Sequence, residues 1–102
     1  MTALKLGDIL YSSWGYDQTN IDFYQVTRVL KASVEIRRIS SKQGPEDGFM
    51  TASVTPVKDY FVGEPMVKRI AYTQSGEPNV KIKSYAWAYI WDGRPKRCSW
   101  YA

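Results

Sequence analysis

The sequence predicts an all-β protein, built as one small barrel or rolled antiparallel sheet. Three observations favour this class: runs that alternate apolar with charged residues, runs rich in β-branched and aromatic residues, and clusters of turn residues between them. No window of about 11 residues or more has the apolar period of an α-helix. At 102 residues the chain can bury a single core without metal or disulfide, so we expect one domain over residues 1–102.

Seven runs have the composition of strands. In chain order they are residues 9–13, 23–30, 34–37, 53–57, 66–72, 80–83 and 85–91. The third, Val34-Glu35-Ile36-Arg37, and the sixth, Val80-Lys81-Ile82-Lys83, show the alternation of half-buried strands most clearly. Residues 58–62 are compatible with one helical turn and no more. Six or seven short strands in so small a domain require closure to hide their edges, which favours a barrel.

Glycine, proline and aspartate separate the predicted strands. Turn signals stand at Gly44-Pro45, Asp47-Gly48, Gly63-Glu64-Pro65, Gly76-Glu77-Pro78 and Asp92-Gly93. The opening Leu6-Gly7-Asp8-Ile9-Leu10, a long loop, and then two strands joined tightly at residues 31–33 resemble an SH3-like barrel. An OB-like barrel is the alternative.

Composition excludes several kinds of site. The chain has one cysteine, Cys98, and no histidine, so an internal disulfide, a Cys/His zinc site and a Ser-His-Asp triad cannot form within it. The net charge of +4 is uneven, because residues 66–102 carry seven Lys/Arg and two acidic residues. This basic third would attract an anionic partner or, alternatively, would serve only as a solubilising surface. Without a signal peptide or an apolar run long enough to span a bilayer, we expect a cytoplasmic protein with no membrane partner.

The segment Ser13-Trp14-Gly15-Tyr16-Asp17-Gln18-Thr19-Asn20 is the first candidate binding site. It lies in a predicted connecting loop that continues to Tyr24, and it combines large rings with hydrogen-bonding side chains. Such a loop suits recognition of a flat polar ligand, with rings stacking and polar groups reading an edge. Its predicted ligand contacts are Trp14, Tyr16, Asp17, Gln18, Asn20 and Tyr24. Alternatively, Asp17, Thr19 and Asn20 satisfy their own backbone as an Asx-type turn while the rings cap the barrel.

A second aromatic group, Tyr85-Ala86-Trp87-Ala88-Tyr89-Ile90-Trp91, would place four rings on one face of a strand and small residues on the other. Exposed rings would form a stacking ladder, with Trp87 and Trp91 as its predicted ligand contacts. The alternative is that the rings fill the core. Residues 94–102 form either part of the domain or a flexible basic and aromatic tail, in which Arg94, Lys96 and Arg97 would hold phosphate.

Two blocks of the sequence resemble a family of small uncharacterised proteins of bacteriophages, prophages and plasmids. The blocks are Ser13-Trp14-Gly15-Tyr16-Asp17-Gln18-Thr19-Asn20 followed by Asp22-Phe23-Tyr24-Gln25-Val26, and Tyr89-Ile90-Trp91-Asp92-Gly93-Arg94-Pro95-Lys96. The resemblance implies a short accessory protein of a mobile element. Such a protein would act by binding, either to nucleic acid or to a component of host defence.

Together these patterns predict a non-catalytic binding protein without cofactor or metal. The leading ligand is a nucleotide or single-stranded nucleic acid, bound by stacking and by the basic C-terminal region. The alternative is a protein-binding inhibitor of a host defence component, because Tyr, Trp and Arg also dominate protein interfaces. A third reading is a homo-oligomer that pairs through strand edges or the aromatic face.

Overall fold

A computed structural model of the chain describes residues 4–15, 20–48, 51–83, 86–94 and 96–99, without the side chains of residues 45–48, 51 and 97–99. Strands make up 72% of it, and none of the described residues is helical. The all-β prediction is confirmed. The strands are β1 (Ile9–Trp14), β2 (Asn20–Val29), β3 (Ser33–Gly48), β4 (Thr51–Phe61), β5 (Met66–Tyr72), β6 (Pro78–Lys83), β7 (Ala86–Ile90) and β8 (Lys96–Ser99).

Six of these strands close an antiparallel barrel. The order is β2-β1-β7-β6-β5-β3, and pairing of β3 with β2 completes the circle. The tight β2–β3 connection predicted at residues 31–33 is present, with the Leu30 N–H donating to the Ser33 carbonyl at 2.9 Å. Closure gives each of the six a hydrogen-bonded neighbour on both sides, which removes the exposed edges of an open sheet.

The long strand β3 belongs both to the barrel and to an extension of the same sheet beyond it. Its first part pairs with β2 and β5, whereas its second part leaves the barrel and pairs with β4 from Ile39 onward. Strand β4 in turn pairs with β8. We call this three-stranded extension, made by residues 39–48 of β3 with β4 and β8, the arm. Strand β8 lies within residues 94–102. For this segment the sequence allowed two predictions, either part of the domain or a flexible tail.

The buried apolar residues form two clusters, one inside the barrel and one between the barrel and the arm. The barrel interior contains Leu4, Leu10, Tyr24, Val26, Val34, Ile36, Val80 and Ala88. The second cluster forms around Phe23, Ile39 and Val54, with Ile9, Tyr11, Ile21, Phe61 and Trp91 packed against it. Alternation along β2 explains the division, because Tyr24 and Val26 point inward while Phe23 points to the opposite face, where the arm covers it.

Two local expectations need correction. The predicted loop over residues 13–24 is shorter, because β2 begins at Asn20 and pairs with β1 in the register Trp14↔Asn20. Residues 58–61 belong to β4 and do not form a helical turn. At the start of β2, pairing with β1 outweighed the local preference of Asn20 and Asp22 for a loop. No helix in the described ranges is long and apolar enough to cross a membrane.

Candidate functional site

The outer surface of β7 presents large aromatic rings. Ala86 and Ala88 point into the barrel and are buried, so Trp87 and Tyr89 point outward, and each is 37% exposed. The inward-facing residues of β7 are small because this strand packs closely against the core residues Val80 and Leu10. Of the two arrangements that the sequence left open, the exposed one holds for Trp87 and Tyr89.

Neighbouring strands extend this surface with one ring and two cations. On β1, Tyr11 lies opposite Tyr89, with ring centroids 6.3 Å apart and planes tilted by 46°. On β6, Lys81 lies opposite Trp87, and its ammonium nitrogen is 5.9 Å from the ring centroid. The ammonium of Lys96 lies 4.2 Å from the Tyr11 ring centroid. We call these five residues the ring face: Tyr11, Lys81, Trp87, Tyr89 and Lys96.

The turn after β7 fixes Lys96 and Trp91. Asp92 accepts a hydrogen bond from the Arg94 backbone N–H at 3.0 Å, and its two oxygens each lie 3.2 Å from the Lys96 ammonium. The Arg94 N–H and then the Lys96 ammonium lower the pKa of Asp92 below its ordinary value, although the side chain is exposed. The Trp91 indole N–H donates to the Arg94 carbonyl at 2.7 Å, while its ring meets Phe23 edge to face at 6.2 Å. Trp91 also packs against the cluster of Phe23, Ile39 and Val54, so it serves the contact between arm and barrel more than it offers a stacking surface.

A second polar site lies at one mouth of the barrel. The Trp14 indole N–H donates to Asp22 Oδ2 at 2.8 Å, and Arg38 forms a salt bridge to Asp22 Oδ1 at 3.0 Å. Trp14 and Asp22 border a cavity of about 30 Å³, which is lined by Ser12, Trp14, Asp22, Tyr24, Ile82, Lys83 and Ala86. Such a volume has room for about two water molecules, so a nucleobase would not fit without rearrangement of the mouth.

Two buried hydroxyl-bearing residues face this cavity. Ser12 is 1% exposed, and its hydroxyl has no hydrogen-bond partner among the described residues. Tyr24 is 6% exposed, and its burial, with the nearby Asp22 carboxylate, raises the pKa of its phenol, while Arg38 acts in the opposite direction. Tyr24 is a core residue whose ring has no face open to a stacked ligand.

The residues predicted as ligand contacts therefore fall into separate places. Trp14 and Tyr24 line the barrel mouth, and Asn20 starts β2 beside it. Trp87 and Lys96 belong to the ring face, with Trp91 and exposed Arg94 at its end. Tyr16, Asp17 and Gln18 lie outside the described residues, as do Tyr85 and the side chain of Arg97. The structure therefore does not bring the first loop and the β7 rings together as one described surface.

Sequence reasoning missed Tyr11, Lys81 and Asp22. Tyr11 and Lys81 reach the ring face only through the pairing of β7 with β1 on one side and β6 on the other. The alternation of Lys81 with apolar Val80 and Ile82 already marked its outward direction, whereas nothing local to Tyr11 identifies its partner across the sheet.

The chain was compared with protein families, curated proteins and solved structures. No protein-family model, curated protein or solved structure matches this chain. Among the described residues, no three carboxylate or cysteine side chains lie close enough together to hold a metal ion.

Proposed function

We propose that this protein is a non-catalytic, cytoplasmic binding protein whose ring face holds single-stranded nucleic acid. The observation that carries the proposal is the exposure of Trp87 and Tyr89 side by side on one strand, with a lysine near each end of the surface. A soluble domain that only needed a core would gain from burying such rings, so their exposure favours a contact with another molecule.

The chemistry of the surface matches a single strand. Bases with free faces stack on aromatic side chains, and each stacked base contributes about 1–3 kcal/mol of binding free energy. Trp87 and Tyr89 are two residues apart on β7, so their side chains emerge about 7 Å apart, a spacing that suits neighbouring nucleotides. Exposed Lys81 would face a phosphate beside the rings, while Lys96, held by Asp92, adds positive charge near Tyr11. Duplex DNA keeps its bases stacked inside and would not offer them to this surface.

Titration of a labelled single-stranded oligonucleotide of about eight nucleotides, followed by fluorescence anisotropy at low salt, tests the proposal. Trp87→Ala should weaken binding between about fivefold and a hundredfold, which corresponds to the loss of one stacked base. Tyr60→Ala is the matched control, because Tyr60 is 61% exposed on β4, away from the ring face. Equal affinities of Trp87→Ala and the unmodified protein would count against the proposal.

Salt dependence adds a second arm to this test. For single strands the slope of log K against log salt is about −0.7 for each phosphate contacted, so Lys81→Gln should reduce the slope by about 0.7. Lys42→Gln, a change of an exposed lysine on β3, should leave the slope unchanged.

The second candidate function is inhibition of a host protein by direct binding. Exposed apolar side chains on β4, β5 and the turn between them favour it: Tyr60, Val62, Val67 and Tyr72 are each about half exposed or more. An interface anchored by such groups would weaken little as salt rises. Under either function, the two sequence blocks that resemble phage and plasmid proteins support a role as an accessory protein of a mobile element.

A further inference from the structure

A groove at one end of the ring face places a carboxylate beside the rings. It measures about 380 Å³ and is lined by Tyr11, Glu77, Tyr89, Ile90 and Asp92. Because the groove shares Tyr11 and Tyr89 with the ring face, a base stacked on Tyr89 would turn one of its edges toward Glu77 or Asp92. The volume is ample for one base.

The two carboxylates of the groove are in different situations. Asp92 already accepts the Arg94 N–H and the Lys96 ammonium, so it positions Lys96. The Glu77 side chain makes no hydrogen bond or ion pair within the described ranges and is exposed. Its main chain is fixed, however, since its N–H donates to Thr73 Oγ1 at 3.1 Å and its carbonyl accepts from the Thr73 N–H at 2.9 Å. The fixed main chain of Glu77 thus places its carboxylate, as a hydrogen-bond acceptor, at the wall of the groove.

We propose that Glu77 makes the ring face selective for bases that carry an exocyclic amino group. This inference rests on the proposed function. A carboxylate only accepts hydrogen bonds, so it pairs with the amino group of cytosine, as it would with that of adenine. At the same position uracil and thymine carry a carbonyl oxygen, whose lone pairs would face the negative charge. The contact therefore favours one set of bases and disfavours the other.

Oligo(dC) and oligo(dU) of equal length are the probes for the test. Both are pyrimidine strands, so stacking area is matched while the edge that faces Glu77 differs. The protein should bind oligo(dC) about fivefold more tightly at neutral pH, the low end of what one base contact contributes, because the groove is open to water. Glu77→Gln should bring the ratio close to one, since an amide both donates and accepts. Glu64→Gln, which alters an exposed acid in the β4–β5 turn, should keep the ratio of the unmodified protein.

The outcomes separate this inference from the proposed function. Equal affinity for oligo(dC) and oligo(dU) in the unmodified protein would overturn the selectivity while leaving strand binding intact. A ratio that persists in Glu77→Gln would overturn the role of Glu77. Absence of binding to both strands at low salt would contradict the proposed function and this inference with it.

Discussion

The contact between Gln25 and Asp59 ties the arm to the barrel and offers the sharpest test of the packing. Gln25 lies on β2 and is 5% exposed. Its amide donates to Asp59 Oδ1 at 2.7 Å and accepts from the Asp59 backbone N–H at 2.8 Å. Asp59 has a positive φ of 66°, a left-handed conformation that disfavours most side chains. The two hydrogen bonds offset that preference and hold β4 in place.

Gln25→Ala should lower the free energy of unfolding by about 2–3 kcal/mol. The bond to the backbone N–H contributes about 1 kcal/mol, and the bond to the carboxylate somewhat more because that acceptor is charged. With a urea m-value of about 1–3 kcal/mol per molar, the midpoint should fall by about 0.7–3 M.

Urea denaturation followed by tryptophan fluorescence measures this change. Gln43→Ala is the control, because Gln43 is exposed on β3, and its effect should stay within about 0.5 kcal/mol. Binding of oligonucleotide by Gln25→Ala below its midpoint should match that of the unmodified protein, since Gln25 is not part of the ring face. A loss of stability under 0.5 kcal/mol for Gln25→Ala would refute the reasoning about the two bonds.

Two further predictions concern pH. The pKa of Tyr24 is raised by burial and by Asp22, so its contribution to stability is fully present below the ordinary value of 10.0 and is lost as pH rises through the folded pKa. Stability should therefore fall less steeply above about pH 10 in Tyr24→Phe than in the unmodified protein, and identical denaturation profiles would contradict the assignment. The pKa of Asp92 is lowered, chiefly by the Arg94 N–H and then by Lys96, so its contribution is present above the ordinary value of 3.8 and is lost as pH falls through the folded pKa. NMR titration should show the pKa of Asp92 rising part of the way back in Lys96→Gln, and no rise would contradict the role of Lys96.

The strands were predictable where local pattern alone determines them. Residues 66–72 were predicted with the observed bounds of β5, because Val67, Ile70 and Tyr72 favour a strand and turn residues flank the run. The length of β3 could not be foreseen. Its second half, including Gly44 and Pro45, has the composition of a turn, and only pairing with β4 makes it a strand. The β2–β3 hairpin was predicted from the tight connection at residues 31–33. The pairing of β7 with β1 was not, because it joins strands far apart in the sequence.

The ring face was half predictable. Alternation along residues 85–91 placed Trp87 and Tyr89 on one face of the strand. Which face is buried depends on how much room the barrel interior leaves for side chains, and only Ala86 and Ala88 are small enough to lie there. For Tyr24 the prediction of ligand contact was wrong. Its position next to a polar loop predicted ligand contact, whereas the strand register turns its ring into the barrel.

The most direct test of nucleic-acid binding at the ring face uses the indole N–H signals of Trp14, Trp87 and Trp91 in a ¹H–¹⁵N NMR titration with a single-stranded oligonucleotide. In the protein alone, the Trp14 and Trp91 indoles already donate, to Asp22 and to the Arg94 carbonyl. The Trp87 signal should therefore move most on addition of the strand, with those of Trp14 and Trp91 nearly fixed. A Trp87 signal that stays in place while that of Trp14 moves would locate the ligand at the barrel mouth and contradict the account.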